Sequence, residues 1–168
     1  MARNILLILF FLLTVALQLS FIASLPWFFP ATPLVLVLSV YLIQHHSILA
    51  CSSWLIFYGL ILDYLHLGSG PLEILTHGAA AVAAVLFARR LFSNRSLYGV
   101  VACVLASYFV WRFFQILLLL IFFWLRSLEV DWRHFLSDTG WGALLSVLLT
   151  TVLFYSAGRM RQGLRRPL

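Results

Sequence analysis

The chain has 168 residues, 64% of them hydrophobic and only 10% charged, and its mean hydropathy is +1.06; soluble domains are nearer half apolar and a quarter charged, so this excess must face lipid. Its eleven basic residues are all Arg, against five acids, for a net charge of +6, which in so apolar a chain favours anionic lipid over nucleic acid as the acidic partner. Five or six spans of ~20 residues use up the length and exclude a separate soluble catalytic, nucleotide-hydrolysing or nucleic-acid-binding module.

The first apolar run, 5–25, follows Arg3 and ends at Pro-Trp-Phe-Phe-Pro. A signal peptide has the same order of basic and apolar regions, but this run is long for one and lacks a convincing small-residue cleavage site, so a retained span is expected. The second run, 30–44 with its proline-rich approach, is the shortest and ends at Gln44, His45 and His46. The third, 48–67, carries Asp63 and His66 near its end and leads into Gly-Ser-Gly-Pro, a turn signal. The fourth, 72–88, closes on Arg89 and Arg90 and offers Gly78, Ala79, Ala80, Ala83 and Ala84, small residues that let helices approach closely in lipid.

The fifth run, 97–125, is longer than a span needs and is interrupted by Arg112. The polar stretch that follows, up to Gly140, reads as a short interfacial helix. The last span, 140–157, has Ser137 or Asp138 as its expected cap and precedes a basic tail. Cys51 and Cys103 lie inside apolar runs and read as small packing residues, so no disulfide framework is implied. The expected fold class is all-α: one polytopic membrane domain, residues 1–168, with six transmembrane helices.

The arginines test that count. With the N-terminus inside, the inner segments hold Arg3, Arg89, Arg90, Arg95, Arg159, Arg161, Arg165 and Arg166, and the outer ones only Arg126 and Arg133, beside Glu129, Asp131 and Asp138. This is a positive-inside pattern, and it places both termini in the cytoplasm. Trp27, Phe28, Trp124 and Trp132 then fall at the outer interface, as an aromatic belt does.

Ionisable groups within spans are costly and need a partner or a cavity, which singles out Asp63, Glu73, His77 and Arg112. Asp63, Arg112 and Glu73 each lie 15 residues from the inner end of their runs, about 22 Å at 1.5 Å per residue, so three charges on three helices share one level. His66, His77 and Gln115 extend the patch at helical spacing. The patch is either a polar site opening outward, for a ligand or a partner helix, or a staple joining the third, fourth and fifth helices. The staple is the simpler reading, with Arg112 paired to Asp63 or Glu73.

Catalytic residues are not expected: Ser69 lies in Gly-Ser-Gly-Pro without a nucleophile-elbow pattern, and no paired-carboxylate site is evident. No metal or other cofactor is expected either. His45 and His46 belong to the inner end while His66, His77 and His134 belong to the outer side, so they do not converge on one ion.

The order of features resembles the bacterial rod-shape-determining protein MreD family. The likeness is carried by Gly59, Leu62 and Asp63 at the end of the third span and by Gly68 and Gly70 in the linker, together with the short second span after a Pro and the basic tail. It implies a noncatalytic inner-membrane subunit of the elongasome, which guides lateral peptidoglycan synthesis and maintains cell shape. Its implied partners are MreC and, through it, the MreB filament and the elongation glycosyltransferase and transpeptidase. The family is also similar in fold to the substrate-binding subunits of energy-coupling-factor vitamin transporters, which supplies the alternative function. The first helix has no Ala-x-x-x-Ala motif of the kind such subunits use for docking. On the scaffold reading the expected docking surfaces are the Ala-rich fourth helix and the outer segment 126–139, with Asp63, held by Arg112, fixing the outer ends of helices three and five.

Overall fold

The computed structural model describes residues 2–45, 48–65, 72–91, 96–126 and 131–163. Six α-helices are found among them, and no strand: α1 (Ala2–Ala16), α2 (Leu34–His45), α3 (Ile48–Leu65), α4 (Leu72–Leu86), α5 (Leu97–Arg126) and α6 (Trp132–Gly163). Four helical stretches are long and apolar enough to cross a membrane, Ile5–Ser24, Leu72–Leu91, Leu97–Ile121 and Trp132–Arg159, and two shorter apolar ones, Phe29–His45 and Cys51–Leu65, accompany them. Large apolar side chains are exposed along each of α1, α3, α4, α5 and α6, far more than a soluble monomer displays. This is a membrane protein.

Helix α1 continues through a wide π-type turn, Leu17–Phe21, and a 3-10 turn, Ile22–Ser24. It stops because Pro26 follows Leu25, whose ψ of 145° is the extended geometry a residue before proline prefers. The π turn contains Gln18, whose Nε2 donates to the Thr32 carbonyl at 2.9 Å while its Oε1 accepts the Leu34 N–H at 2.8 Å. One amide thus closes α1 onto the start of α2 and satisfies an N–H that α2 itself leaves without a partner.

The shortest apolar run forms the most enclosed helix. Val35 through Val40, Ile43 and Gln44 are all buried, and α2 packs against each of the other five helices. A helix apolar on every side belongs at the centre of a bundle. Around it, Leu36, Val37 and Val40 join Leu55 of α3, Ala80 and Ala84 of α4, and Cys103, Val104 and Tyr108 of α5 in one core cluster. Phe11 and Val15 of α1 meet Val35, Trp54 and Tyr58 in a second.

The small-residue face expected on α4 is used inside the fold, where Ala80, Ala81, Ala83 and Ala84 are buried. The sequence reading of 126–140 as a separate interfacial helix, with a new cap at Ser137 or Asp138, is corrected over the described residues 131–140. A single helix starts at Trp132, with Asp131 accepting the His134 N–H at 3.1 Å through its side chain. Asp138 lies within that helix, 3.5 Å from His134 Nε2. Further along α6, Gly142, Ser146 and Thr150 form a buried stripe, and each hydroxyl donates to the carbonyl four residues back at 2.6 Å. Gly142 is required where it stands, because a Cβ there would collide with the Tyr108 hydroxyl and the Ala31 carbonyl.

Candidate functional site

Antiparallel neighbours bring the C-terminal ends of α1 and α3 and the N-terminal ends of α2 and α4 to one side, opposite Arg89 and Arg90. The polar residues of the spans gather there, against the middle of α5.

Asp63 is the first of them. Its Oδ1 accepts the Glu73 N–H and its Oδ2 the Ile74 N–H, both at 2.8 Å. These N–H groups belong to the first turn of α4, where a helix has no internal acceptor for them and its dipole favours a negative charge. A carboxylate from α3 therefore caps α4 from outside. Gly59, one turn earlier on the same face, makes the approach feasible: a Cβ there would lie 2.6 Å from the Glu73 carbonyl oxygen and 2.8 Å from the Ile74 Cα. Gly59 and Asp63 thus act on the same two residues of α4, one by yielding space and the other by accepting hydrogen bonds.

Arg112 does not pair with Asp63, contrary to the sequence expectation. Its Nε donates to the Tyr108 hydroxyl at 3.1 Å and its Nη1 to Gln115 Oε1 at 2.9 Å. The guanidinium lies over the rings of Trp111 and Phe135, at 4.7 and 5.1 Å from their centroids. Among the described residues no carboxylate reaches it within ion-pair distance. The physical reason is that both oxygens of Asp63 are committed to backbone donors, which no residue pattern displays.

Glu73 is joined to Arg112 indirectly. Gln115 Nε2 makes long contacts of 3.4 and 3.5 Å with the Glu73 carboxylate while its oxygen holds Arg112, so one amide stands between the opposite charges. His77 is 2% exposed, and its Nδ1 lies 2.9 Å from the Glu73 carbonyl and 3.3 Å from its carboxylate, two acceptors that put the proton on that nitrogen. Its ring meets Tyr58 edge-on at 5.2 Å and Trp111 at 5.1 Å. The Tyr108 hydroxyl, which accepts from Arg112, donates to the Thr139 carbonyl of α6 at 3.0 Å. The structure thus brings Asp63, Glu73, His77 and Arg112 into one cluster linking α3, α4, α5 and α6. His66, Gly68 and Gly70 lie outside the described residues.

A cavity of about 170 Å³ opens beside the cluster, with Gln18, Tyr58, Glu73, His77, Trp111 and Arg112 in its wall. Trp111 also carries a buried indole N–H with no acceptor among the described residues. Sequence reasoning passed over Gln18, Trp111 and Tyr108. A lone amide in an apolar first span was the available signal for Gln18; the two aromatics gave none, since rings of this kind recur throughout the chain. The chain matches no protein-family model, no curated protein and no solved structure.

Proposed function

We propose that this chain is a noncatalytic, six-span subunit of the bacterial rod-shape machinery. It lies in the inner membrane with both termini cytoplasmic. It docks an MreC-type partner and, through it, the MreB filament and the glycosyltransferase and transpeptidase of peptidoglycan elongation. The observation that carries this reading is the outer third of α6. The helix has 32 residues, about 48 Å at 1.5 Å per residue, against a hydrocarbon core of ~30 Å. The surplus is divided between its two ends, and at the start Trp132, Leu136 and Trp141 are exposed beside Arg133, His134 and Asp138.

Under the arginine topology this helical post stands at the outer surface, where a single-span partner leaves the bilayer. Aromatic and aliphatic anchors among polar groups are the composition that carries binding energy at interfaces. The other docking surface considered, the Ala-rich face of α4, is consumed by internal packing. Leu136 is 62% exposed, so Leu136→Arg changes the post without touching the core. The expected result is at least an about tenfold loss of co-purified MreC-type partner, equivalent to roughly 1.4 kcal/mol, with thermal unfolding unchanged. Unaltered capture of the partner would remove the reading.

The outer cavity is what favours the second reading, a substrate-binding subunit of a vitamin transporter. Its 170 Å³ is below the ~300–1,000 Å³ usual for sites that enclose drug-sized ligands, so the scaffold reading stands first.

A further inference from the structure

The segment between α1 and α2 forms one side of the outer cavity, through Pro30, Ala31, Thr32 and Pro33, yet little fastens it to the helices. Its backbone hydrogen bonds are local: the Leu25 N–H donates to the Ile22 carbonyl at 3.1 Å, the Ala31 N–H to the Phe28 carbonyl at 3.2 Å and the Thr32 N–H to the Phe29 carbonyl at 3.0 Å. The Thr32 hydroxyl also turns back, onto the Phe29 carbonyl at 2.7 Å. Pro26 and Pro30 have no N–H to offer.

Two anchors tie the segment down. At the α1 side, the Gln18 amide holds the Thr32 carbonyl and the Leu34 N–H. At the α6 side, the Phe28 ring stacks on Trp141, with centroids 4.3 Å apart and planes 14° from parallel, while the Ala31 carbonyl rests close against Gly142. Elsewhere Pro26, Trp27, Phe29 and Pro30 are exposed. Few buried contacts and few hydrogen bonds to the body are what give a region low local stability.

Trp27 shows that the docked form is held in place. Its φ of 66° is left-handed, a genuine outlier for a bulky residue, and such a conformation persists only where the surrounding structure imposes it. The indole is 89% exposed, so packing within the protein does not offset the strain. The constraint comes from the chain on either side, which the two anchors fix.

We infer that residues 25–32 are a strap over the outer cavity, latched by Gln18 and by the Phe28 stack, which lifts away as a unit while the six helices stay packed. Prolines at 26 and 30 stiffen the strap, and its two ends, Leu25 and Thr32, are in extended conformation, where a small change of dihedral swings the whole segment. Lifting it lets Trp27 return to an ordinary φ. It also widens the space of about 170 Å³ and gives solutes from the outer side access to Glu73, His77 and Arg112. The fixed part of the cavity is supplied by helices tied independently, α3 to α4 by Asp63 and α5 to α6 by Tyr108.

The test is the rate at which a water-soluble maleimide labels the purified full chain in detergent, with the adducts assigned by mass spectrometry. Val35 lines the cavity just beyond the strap and is 1% exposed, so Val35→Cys places a side chain of similar size where only opening makes it reactive. Cys51 and Cys103, both 0% exposed in the core, report general loosening in the same molecules. The thiol at position 35 is expected to label faster than either. Gln18→Leu removes two hydrogen bonds from the latch and should speed that labelling about tenfold, with the rates at Cys51 and Cys103 unchanged; Phe28→Ala, which acts at the other anchor, should also speed it selectively. Leu36→Cys, 2% exposed and also in the wall, is the second reporter if Val35→Cys does not fold. Labelling no faster than at the native cysteines, or a Gln18→Leu variant that leaves position 35 unchanged or speeds all three thiols alike, overturns the inference. An effect of Gln18→Leu without one of Phe28→Ala overturns it as well, since the start of α2 then frays alone. No partner enters this measurement, so its outcome is independent of docking on α6.

Discussion

Asp63 holds two backbone N–H groups at once, and that number sets what its replacement does. In Asp63→Asn only the amide oxygen can accept, so one of the Glu73 and Ile74 N–H groups loses its partner and the helix start loses a negative charge. A lost cap costs about 0.5–2 kcal/mol, and a buried donor left without an acceptor about 1–3 kcal/mol. A destabilisation of about 1–2 kcal/mol is therefore expected, read as a lower unfolding midpoint in detergent, with Asp63→Ala worse than Asp63→Asn. Equal stability of Asn and Asp at this position would show that the cap carries no weight. The prominence of Asp63 was legible in the sequence, because a carboxylate in an apolar run stands out and its depth is countable. Its partner was not, because peptide N–H groups are the same in every sequence and only the three-dimensional approach at Gly59 decides which of them an acidic side chain meets. Arg112 teaches the converse: its level was countable too, but an amide and two rings took the place a carboxylate was expected to fill.

Helix α4 shows how an element can be read correctly and used differently. Its small residues do mark a packing face, as their spacing indicates, but the neighbours are α2, α3 and α5 rather than another protein. Ala84 is fully buried in the core, and its carbonyl receives the Cys103 thiol at 3.8 Å. Ala84→Leu therefore has to push α4 and α5 apart, at a cost of about 1–3 kcal/mol by the usual penalty for overpacking. Leu at the neighbouring exposed Val82 should be close to neutral; comparing the two midpoints checks the assignment, and equal effects would contradict it. Helix α2 comes from the shortest apolar run, yet its lack of any polar face is what suits it to the centre. Helix α6 was divided in two because its first turns are polar. Helicity depends on backbone continuity, and neither Gly140 nor Gly142 breaks it; polarity records only which part of the helix meets water.

At the scale of the whole molecule, the apolar exterior and the all-helical class were legible because lipid imposes one simple rule on every outward residue. The site was legible as a level but not as a cavity, since a cavity is a property of five helices together. The orientation proposed from the arginines has a direct check. Neither native cysteine is in a disulfide and both are fully buried, so the unaltered chain offers almost nothing to a membrane-impermeant thiol reagent. A single cysteine introduced at exposed Ser137 should be modified in intact cells, and one at Leu91, 65% exposed, only after permeabilisation; the reverse pattern would invert the topology. The seclusion of two thiols in a packed core thus gives the protein a blank background. Any surface position, including those around the cavity mouth, can be tagged one at a time without first removing a native residue.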